Sequence, residues 1–170
     1  MSTSVKLTAD MQRVLNEQRL GFVASVCEDG TPNLSPKGTT TVWDDEHIVF
    51  ADICSPGTIA NIRHHPVVEI NVVDPVSRKG YRFKGPATIH QQGPTFEQGL
   101  AFYRQRGTLS PIHSIVLVQV ERAMPLISPA YDQGKTEEEI RASWLQYWRA
   151  LYERVANNGN QAEGSEIEQL

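Results

Sequence analysis

The spacing of apolar residues predicts mainly strands over the first 127 residues of the chain. Along YRFKGPATIH the two faces alternate, with Tyr81 and Phe83 on one side and Arg82 and Lys84 on the other. Polar turns such as EDG at 28–30 separate the segments. The predicted strands are GFVASV, TPNLSP, TTTVW, IVFAD, VVEINVVD, YRFKGPATIH and IHSIVLVQVERAMPLIS. About six or seven antiparallel strands with peripheral helices indicate a mainly β (α+β) Greek-key barrel.

Helical spacing and capping residues predict four helices around these strands. Thr8 is the expected N-cap of the first, and Ser55 caps the second, with Pro56 at its first helical position. Thr136 and Glu139 form the capping-box pattern of the last. The predicted helices cover residues 7–20, 55–66, 93–107 and 136–157.

The length of 170 residues predicts one domain, residues 1–157, which includes the C-terminal helix 136–157. Residues 158–170 are rich in Gly, Asn and Glu and are expected to form a flexible acidic tail. The tail carries three of the acidic groups behind the net charge of −4, so the body has a net charge of only −1 (−4 plus 3). The acidity therefore says little about a partner.

Composition argues against several classes of protein. A mildly acidic chain without a Lys/Arg block is not expected to bind nucleic acid. The polar start MSTSVKLTAD predicts no signal peptide, and no apolar run reaches membrane-spanning length, so we expect a cytoplasmic protein. Two cysteines are too few for a disulfide scaffold. The adjacent His64 and His65 lack the i,i+4 spacing of paired ligands on a helix, so we predict no metal site.

The segment SPGTIAN, from Ser55 to Asn61, carries the features of an anion site. A helix that begins with small residues leaves the N–H groups of Gly57, Thr58 and Ile59 free at the positive end of its dipole. The hydroxyls of Ser55 and Thr58 are further donors. The alternative is that Ser55 simply caps the helix.

The segment SPKG, from Ser35 to Gly38, interrupts a predicted strand. Pro36 removes a backbone donor and Gly38 removes a side chain, so another group can approach the backbone, while Lys37 adds a cation. The alternative is an edge strand that Pro and Lys protect against aggregation.

Taken together, these segments resemble the pyridoxamine 5′-phosphate oxidase-like FMN-binding split-barrel family. The order of elements matches: GFVASVCEDGTPNLSPKG, then IVFAD, then SPGTIANIRHHPVVEINVVD, then YRFKGPATI, then the GPTFEQG helix. The likeness extends over about residues 8 to 127. It implies a six-stranded antiparallel Greek-key split barrel with peripheral helices.

The resemblance also implies FMN as the cofactor and a homodimer with FMN at its interface. The implied ring-lining residues are Ser35, Pro36, Lys37, Gly38 and Thr39, and the implied phosphate-site residues are Ser55, Gly57, Thr58 and Asn61. Many members carry a lysine where this chain has Thr58, so another cation must approach the phosphate. The candidates are Lys37, Arg63, Lys79, Arg82 and Lys84.

The function implied is an FMN-dependent oxidoreductase that transfers hydride or electrons to a small substrate. No residue stands out as a general acid or base, so no catalytic residue is assigned. Two alternatives stay open: a non-catalytic FMN-binding or electron-carrier protein, and a split barrel that binds heme or a deazaflavin.

Overall fold

The computed structural model describes residues 4–167, and the side chains of residues 4–156. Within residues 4–167 there are four helices and eight strands. The helices are α1 (Ala9–Gln18), α2 (Pro56–His64), α3 (Pro94–Gln105) and α4 (Glu137–Ile167). The strands are β1 (Gly21–Val26), β2 (Pro32–Lys37), β3 (Thr41–Val42), β4 (His47–Asp52), β5 (Val67–Asp74), β6 (Lys79–His90), β7 (Ser114–Gln119) and β8 (Arg122–Ile127).

The strands form one sheet in the order β2-β1-β5-β6-β7-β4-β3, with β8 paired to β6. The pairs β1–β2, β1–β5, β3–β4, β4–β7 and β6–β7 are antiparallel. The predicted split-barrel α+β class is confirmed, but the strand count of six is wrong. The predicted strand at 112–128 divides into β7 and β8, and the stretch TTTVW contributes only the two-residue β3.

Residues 120 and 121 join β7 to β8 and stay hydrogen-bonded within the sheet. Val120 N–H donates to the Glu46 carbonyl at 2.8 Å, and Glu121 N–H donates to the Lys84 carbonyl at 3.0 Å. Both bonds continue the registers that β7 makes with β4 and β6, so both N–H groups stay paired. The period-two pattern does not mark where β7 ends, so the sequence predicted one long strand.

The chain divides into two compact units: residues 1–74 with 80–126, and residues 75–79 with 127–170. In the first unit, aliphatic side chains from α1, α2 and the sheet form the main core around Leu15, Ile62 and Phe83. In the second, Tyr131 donates to the Ser77 carbonyl at 2.7 Å. There Arg78 also stacks over Trp144 at 4.2 Å.

Local capping signals located the helix starts correctly. Thr8 accepts from Met11 N–H at 3.3 Å, and Thr136 and Glu139 make the predicted reciprocal capping bonds. Helix α4 continues to Ile167, past the predicted end at 157. The single domain and the mobility of residues 158–170 stay predictions, and residues 168–170 lie outside the described part. No helix within residues 4–167 combines the length and apolar character needed to cross a bilayer.

We predict that Gly85→Ala strongly destabilises the first unit. A Cβ at this position would lie 1.8 Å from the carbonyl oxygen of Gln119, so β6 and β7 would have to move apart. We expect the free energy of unfolding, measured with urea, to fall by about 3 kcal/mol or more. Thr88→Ala, at an exposed position of the same strand, is the control and should change it by less than about 1 kcal/mol. Equal stability of the two variants would contradict the close backbone contact.

Candidate functional site

Strand β2 carries its polar residues on the inner face and its apolar residues on the outer face. The inward positions are Asn33, Ser35 and Lys37, and the outward positions are Pro32, Leu34 and Pro36. Leu34 is 66% exposed. A strand selected for core packing would show the opposite pattern. This inversion indicates that the inner face of β2 serves a purpose other than core packing.

Lys37 is the buried cation of this face, with 5% of its surface exposed. Its Nζ donates to the Ser35 hydroxyl and to the Ser55 hydroxyl, the latter at 2.8 Å. Burial lowers the pKa of Lys37, and the negative charge of Asp52 partly opposes this. Three predicted site residues are therefore in contact: Ser35 and Lys37 from β2, and Ser55 at the start of α2.

Asp52 and Ser114 complete this cluster, and sequence reasoning missed both. The Asp52 carboxylate is buried, accepts the Ser55 N–H at 2.9 Å, and accepts the Ser114 hydroxyl at 3.3 Å. It thus fixes the backbone of Ser55 and places a negative charge near Lys37. Asp52 ends β4 and Ser114 begins β7, where the two are register partners. An aspartate in the otherwise apolar IVFAD segment was the available signal.

The N-terminus of α2 keeps free donors because Ser55 does not cap it. Ser55 occupies the N-cap position, as predicted, but makes no capping hydrogen bond, and its hydroxyl contacts Lys37 instead. Pro56 has no N–H, and the N–H groups of Gly57 and Thr58 have no intrahelical acceptor at these positions. The N–H of Ile59, predicted to be free, donates to the Ser55 carbonyl at 3.1 Å.

Asn61 lies in a separate polar network on β1. Its amide donates to the Ser25 hydroxyl at 3.0 Å and to Cys27 Sγ at 3.5 Å. Asn33 also donates to Ser25, at 3.1 Å. Asn61 is therefore buried against β1 rather than directed at the free N–H groups of α2, and its predicted cofactor role stays a prediction.

Thr39 ties the segment after Lys37 to the sheet. Its hydroxyl accepts the Ala51 N–H at 2.9 Å, in the manner of a strand partner, and its carbonyl accepts the Tyr103 hydroxyl at 2.8 Å. Burial raises the pKa of Tyr103, so this hydroxyl remains a donor. The turn at Gly38 is thus held from both sides.

At Gly38 and Gly57, neither the backbone conformation nor close packing of the described residues requires a glycine. Of the ten glycines whose surroundings are described, four have positive φ, and at four others a Cβ would collide with neighbouring atoms. At Gly38 and Gly57 φ is ordinary and a Cβ would meet nothing within 4 Å. Both flank the Lys37–Ser55 contact, so the space beside it is open to a bound group.

The other cations considered for a phosphate are engaged elsewhere. Arg82 and Lys84 both pair with Glu69, at 3.1 Å and 3.9 Å. Lys79 pairs with Glu137 at 2.7 Å, and Arg63 donates to Gln91 at 3.1 Å. Lys37 is the candidate that contacts the start of α2.

The two adjacent histidines lie at the exposed end of α2. His64 lies 3.8 Å from Glu28, and both His64 and His65 are exposed. Within the described residues, no three His, Cys, Asp or Glu side chains are grouped so that they could hold a metal ion.

Known proteins resemble this chain in sequence and in fold. The sequence model of the pyridoxamine 5′-phosphate oxidase family matches residues 7–124, more than half of the chain. The HupZ protein of Group A Streptococcus is 31% identical, with a TM-score of 0.65, over 71% of this chain and 94% of HupZ.

Two further proteins are similar to this chain. The uncharacterized protein MJ0282 of Methanocaldococcus jannaschii is 31% identical over 91 residues, or 52% of this chain. The match spans 60% of that relative's length. An FMN-binding protein from Syntrophomonas wolfei shares the fold, with 16% identity and a TM-score of 0.60 over 70% of this chain and 85% of that one.

We predict that Asp52→Asn weakens the fold and lowers the pKa of Lys37 further. The amide cannot replace the charge that opposes the effect of burial, and it presents N–H₂ to one of the two donors that Asp52 accepts. The free energy of unfolding should fall by about 1–3 kcal/mol. Urea unfolding and an NMR titration of the lysine side chain measure the two effects. The exposed Asp45→Asn is the charge-matched control.

The same variant changes how stability depends on pH. The folded-state pKa of Lys37 lies below its ordinary value of 10.5, so between the two values the unfolded state binds more protons. The free energy of unfolding therefore rises with pH in that interval. In Asp52→Asn the interval begins at lower pH. An unchanged pH profile would show that Asp52 does not act on Lys37.

Proposed function

Because the chain belongs to the pyridoxamine 5′-phosphate oxidase family, we propose that it is an FMN-dependent oxidoreductase acting on a small molecule. The observation that carries the proposal is the buried Lys37 ammonium against Ser55, at a helix N-terminus with open space beside Gly38 and Gly57. A buried cation, free backbone donors and unfilled space together suit a bound phosphate ester with a planar ring.

The residues fit the two ends of such a cofactor differently. At the phosphate end, Gly57 and Thr58 offer N–H groups and Ser55 offers a hydroxyl, while Lys37 supplies the charge that the family's usual lysine would bring at position 58. At the ring end, we assign the backbone of the segment from Ser35 to Thr39, which the bonds of Thr39 hold in place, while the Lys37 side chain reaches Ser55 at the phosphate end. Asn61 would act from a distance, by fixing α2 against β1.

Bound FMN supplies the redox chemistry; the chain supplies binding, orientation and electrostatics. Lys37 is held by Ser35 and Ser55, and its charge is favoured by Asp52. A cation fixed in this way stabilises negative charge that develops beside it without reorganising. Lys37 is therefore an electrostatic residue in this proposal, and no general acid or base is assigned.

The proposal includes a homodimer with the cofactor at its interface. Two apolar side chains next to the candidate site stand exposed on the outer face of the sheet: Phe22 is 43% and Leu34 66% exposed. Phe22 is the register partner of Pro36, which immediately precedes Lys37. A second copy that covers this face would remove apolar surface from water next to the site.

The absorption spectrum of the purified protein, before and after addition of FMN, tests the cofactor. Flavin bands and releasable FMN support the proposal, and turnover with a reduced nicotinamide and an acceptor dye separates an enzyme from an electron carrier. A protein that takes up no added FMN contradicts it. A Soret band, or selective uptake of a deazaflavin, would assign a different cofactor to the same fold.

We predict that Gly57→Ala raises the stability of the protein without cofactor and weakens its binding of FMN. With ordinary φ and free space the alanine reduces the entropy of the unfolded chain, so the free energy of unfolding without cofactor should rise by about 0.4–1 kcal/mol. The new methyl group occupies the space proposed for the phosphate, so affinity for FMN, measured by fluorescence quenching, should fall about tenfold or more. Gly99→Ala is the contrasting variant, because its Cβ would lie 2.6 Å from Ile115. Unchanged FMN affinity in Gly57→Ala would exclude this helix terminus.

We predict that Lys37→Ala lowers the reduction potential of the bound flavin. Loss of the fixed cation removes stabilisation of the reduced, more negative ring. If the lost stabilisation is about 1.4 kcal/mol, the two-electron reduction potential falls by about 30 mV. Lys84→Ala, which removes a cation paired with Glu69, is the control. A potential that does not move would remove Lys37 from the electrostatic role.

A further inference from the structure

Helix α4 lies outside the part of the chain that the family match covers. That match ends at residue 124, and α4 runs from Glu137 to Ile167. The comparison with HupZ covers 94% of HupZ but only 71% of this chain, so this chain carries sequence beyond what the two share. The family likeness therefore gives no role for α4, and its own side chains have to supply one.

One apolar stripe of α4 is turned away from water. Ile140 is 3% exposed, and Trp144 and Leu151 are half-buried. Residues spaced by four and seven positions lie on the same face of a helix. Within the second unit, the Arg78 guanidinium lies 4.2 Å from the centre of the Trp144 ring and covers part of this face. One such stripe is what a helix with a single packing surface needs.

A second apolar stripe runs beside the first and is largely open to water. It consists of Leu145, Trp148, Tyr152 and Val155, which we call the outer stripe. Leu145 is 41%, Tyr152 67% and Val155 62% exposed. Steps of three, four and three residues are the spacing of a coiled-coil seam, which packs against another helix. Helix α4 therefore carries one apolar stripe more than a single packing surface requires.

Trp148 has a buried donor without an acceptor. Its ring contacts those of Tyr147 and Tyr152, with centroids 5.3 Å and 6.3 Å apart. Its indole N–H is buried, and the described part of the chain offers it no hydrogen-bond partner. A buried indole N–H is normally paired. A chain that packs on the outer stripe would bring further oxygen atoms next to this group.

The charges of α4 favour a second copy of the same helix, in antiparallel orientation. Residues 137–146 carry three acidic groups and one basic group, a net charge of −2. Residues 147–156 carry Arg149, Arg154 and Glu153, a net charge of +1. An antiparallel pair lays each acidic half along the basic half of the other copy, and the two helix dipoles oppose each other. A parallel pair would place like halves side by side.

We propose that α4 is a self-association element, in which the outer stripe packs against the outer stripe of a second copy in an antiparallel pair of helices. Because both copies contribute the same surface, the contact closes after two chains. It is separate from the contact proposed for the homodimer on the outer face of the sheet, around Phe22 and Leu34. It also does not depend on bound FMN, since it uses residues outside the family match.

Light scattering on the full chain, over a range of concentrations, tests the contact in a Leu34→Glu background that removes the contact on the sheet. This protein should still associate through α4. Adding Tyr152→Glu places a charge in the outer stripe and should raise the dissociation constant about tenfold or more. Adding Ala150→Glu introduces the same charge at an exposed position on another face of α4 and should leave the constant within about twofold.

Two results would overturn the proposal. One is a Leu34→Glu protein that is already monomeric at the highest soluble concentration, and the other is equal association of the Tyr152→Glu and Ala150→Glu proteins. If the outer stripe is covered by its own chain instead, Tyr152→Glu lowers Tm at every concentration and leaves the mass unchanged. That outcome also overturns the second copy as the partner.

A spin label at Glu138→Cys measures the orientation, in the Leu34→Glu background with Cys27 and Cys54 replaced by serine. The two halves of opposite charge meet between residues 146 and 147. In an antiparallel pair centred there, two labels at 138 lie about 25 Å apart along the axis, at 1.5 Å per residue. In a parallel pair they lie about 10 Å apart, the distance between packed helices. The shorter distance would overturn the antiparallel arrangement.

FMN uptake separates this proposal from the proposed function. A protein that binds no FMN refutes the flavin-dependent function, and the masses of the Tyr152→Glu and Ala150→Glu proteins still decide whether α4 associates. A protein that binds FMN but shows equal masses for the two variants keeps the proposed function and loses the α4 contact.

Discussion

The burial of one ammonium group organises the candidate site. A lysine removed from water is unfavourable unless oxygen atoms surround it and a negative charge lies near. Ser35, Ser55 and Asp52 meet these needs for Lys37, and they come from β2, the start of α2 and the end of β4. Three elements distant in sequence are therefore held together by the solvation of a single charge.

This contact also determines the chemistry of α2. The Ser55 hydroxyl would ordinarily accept from the first turn of the helix, but it accepts from Lys37 instead. The first-turn N–H groups are left without a cap, next to a cation and beside a glycine with open space. One hydrogen bond thus both anchors the lysine and exposes the positive end of the helix dipole. Both effects favour an anion at the same place.

Sequence reasoning succeeded where the signal is local. The caps at Thr8 and Thr136 depend on residues three positions apart, and the α2 start depends on Ser55 and Pro56. It failed where partners are distant in sequence, because Asp52 meets Ser114 only through the β4–β7 register. The period-two pattern also did not mark the end of β7. The left-handed backbone of Arg19, at the end of α1, likewise has no signature in residue type.

The outward row of β2 has a consequence for assembly. β2 is a terminal strand of the sheet. Pro32 and Pro36 both lie on its outer face, and neither has a backbone N–H that could pair with a strand of a neighbouring chain. The other end of the strand order is β3, which has only two residues. Neither border can therefore template a ninth strand along an appreciable length. Any association between copies of this chain would therefore use side-chain faces rather than backbone pairing at these two strands.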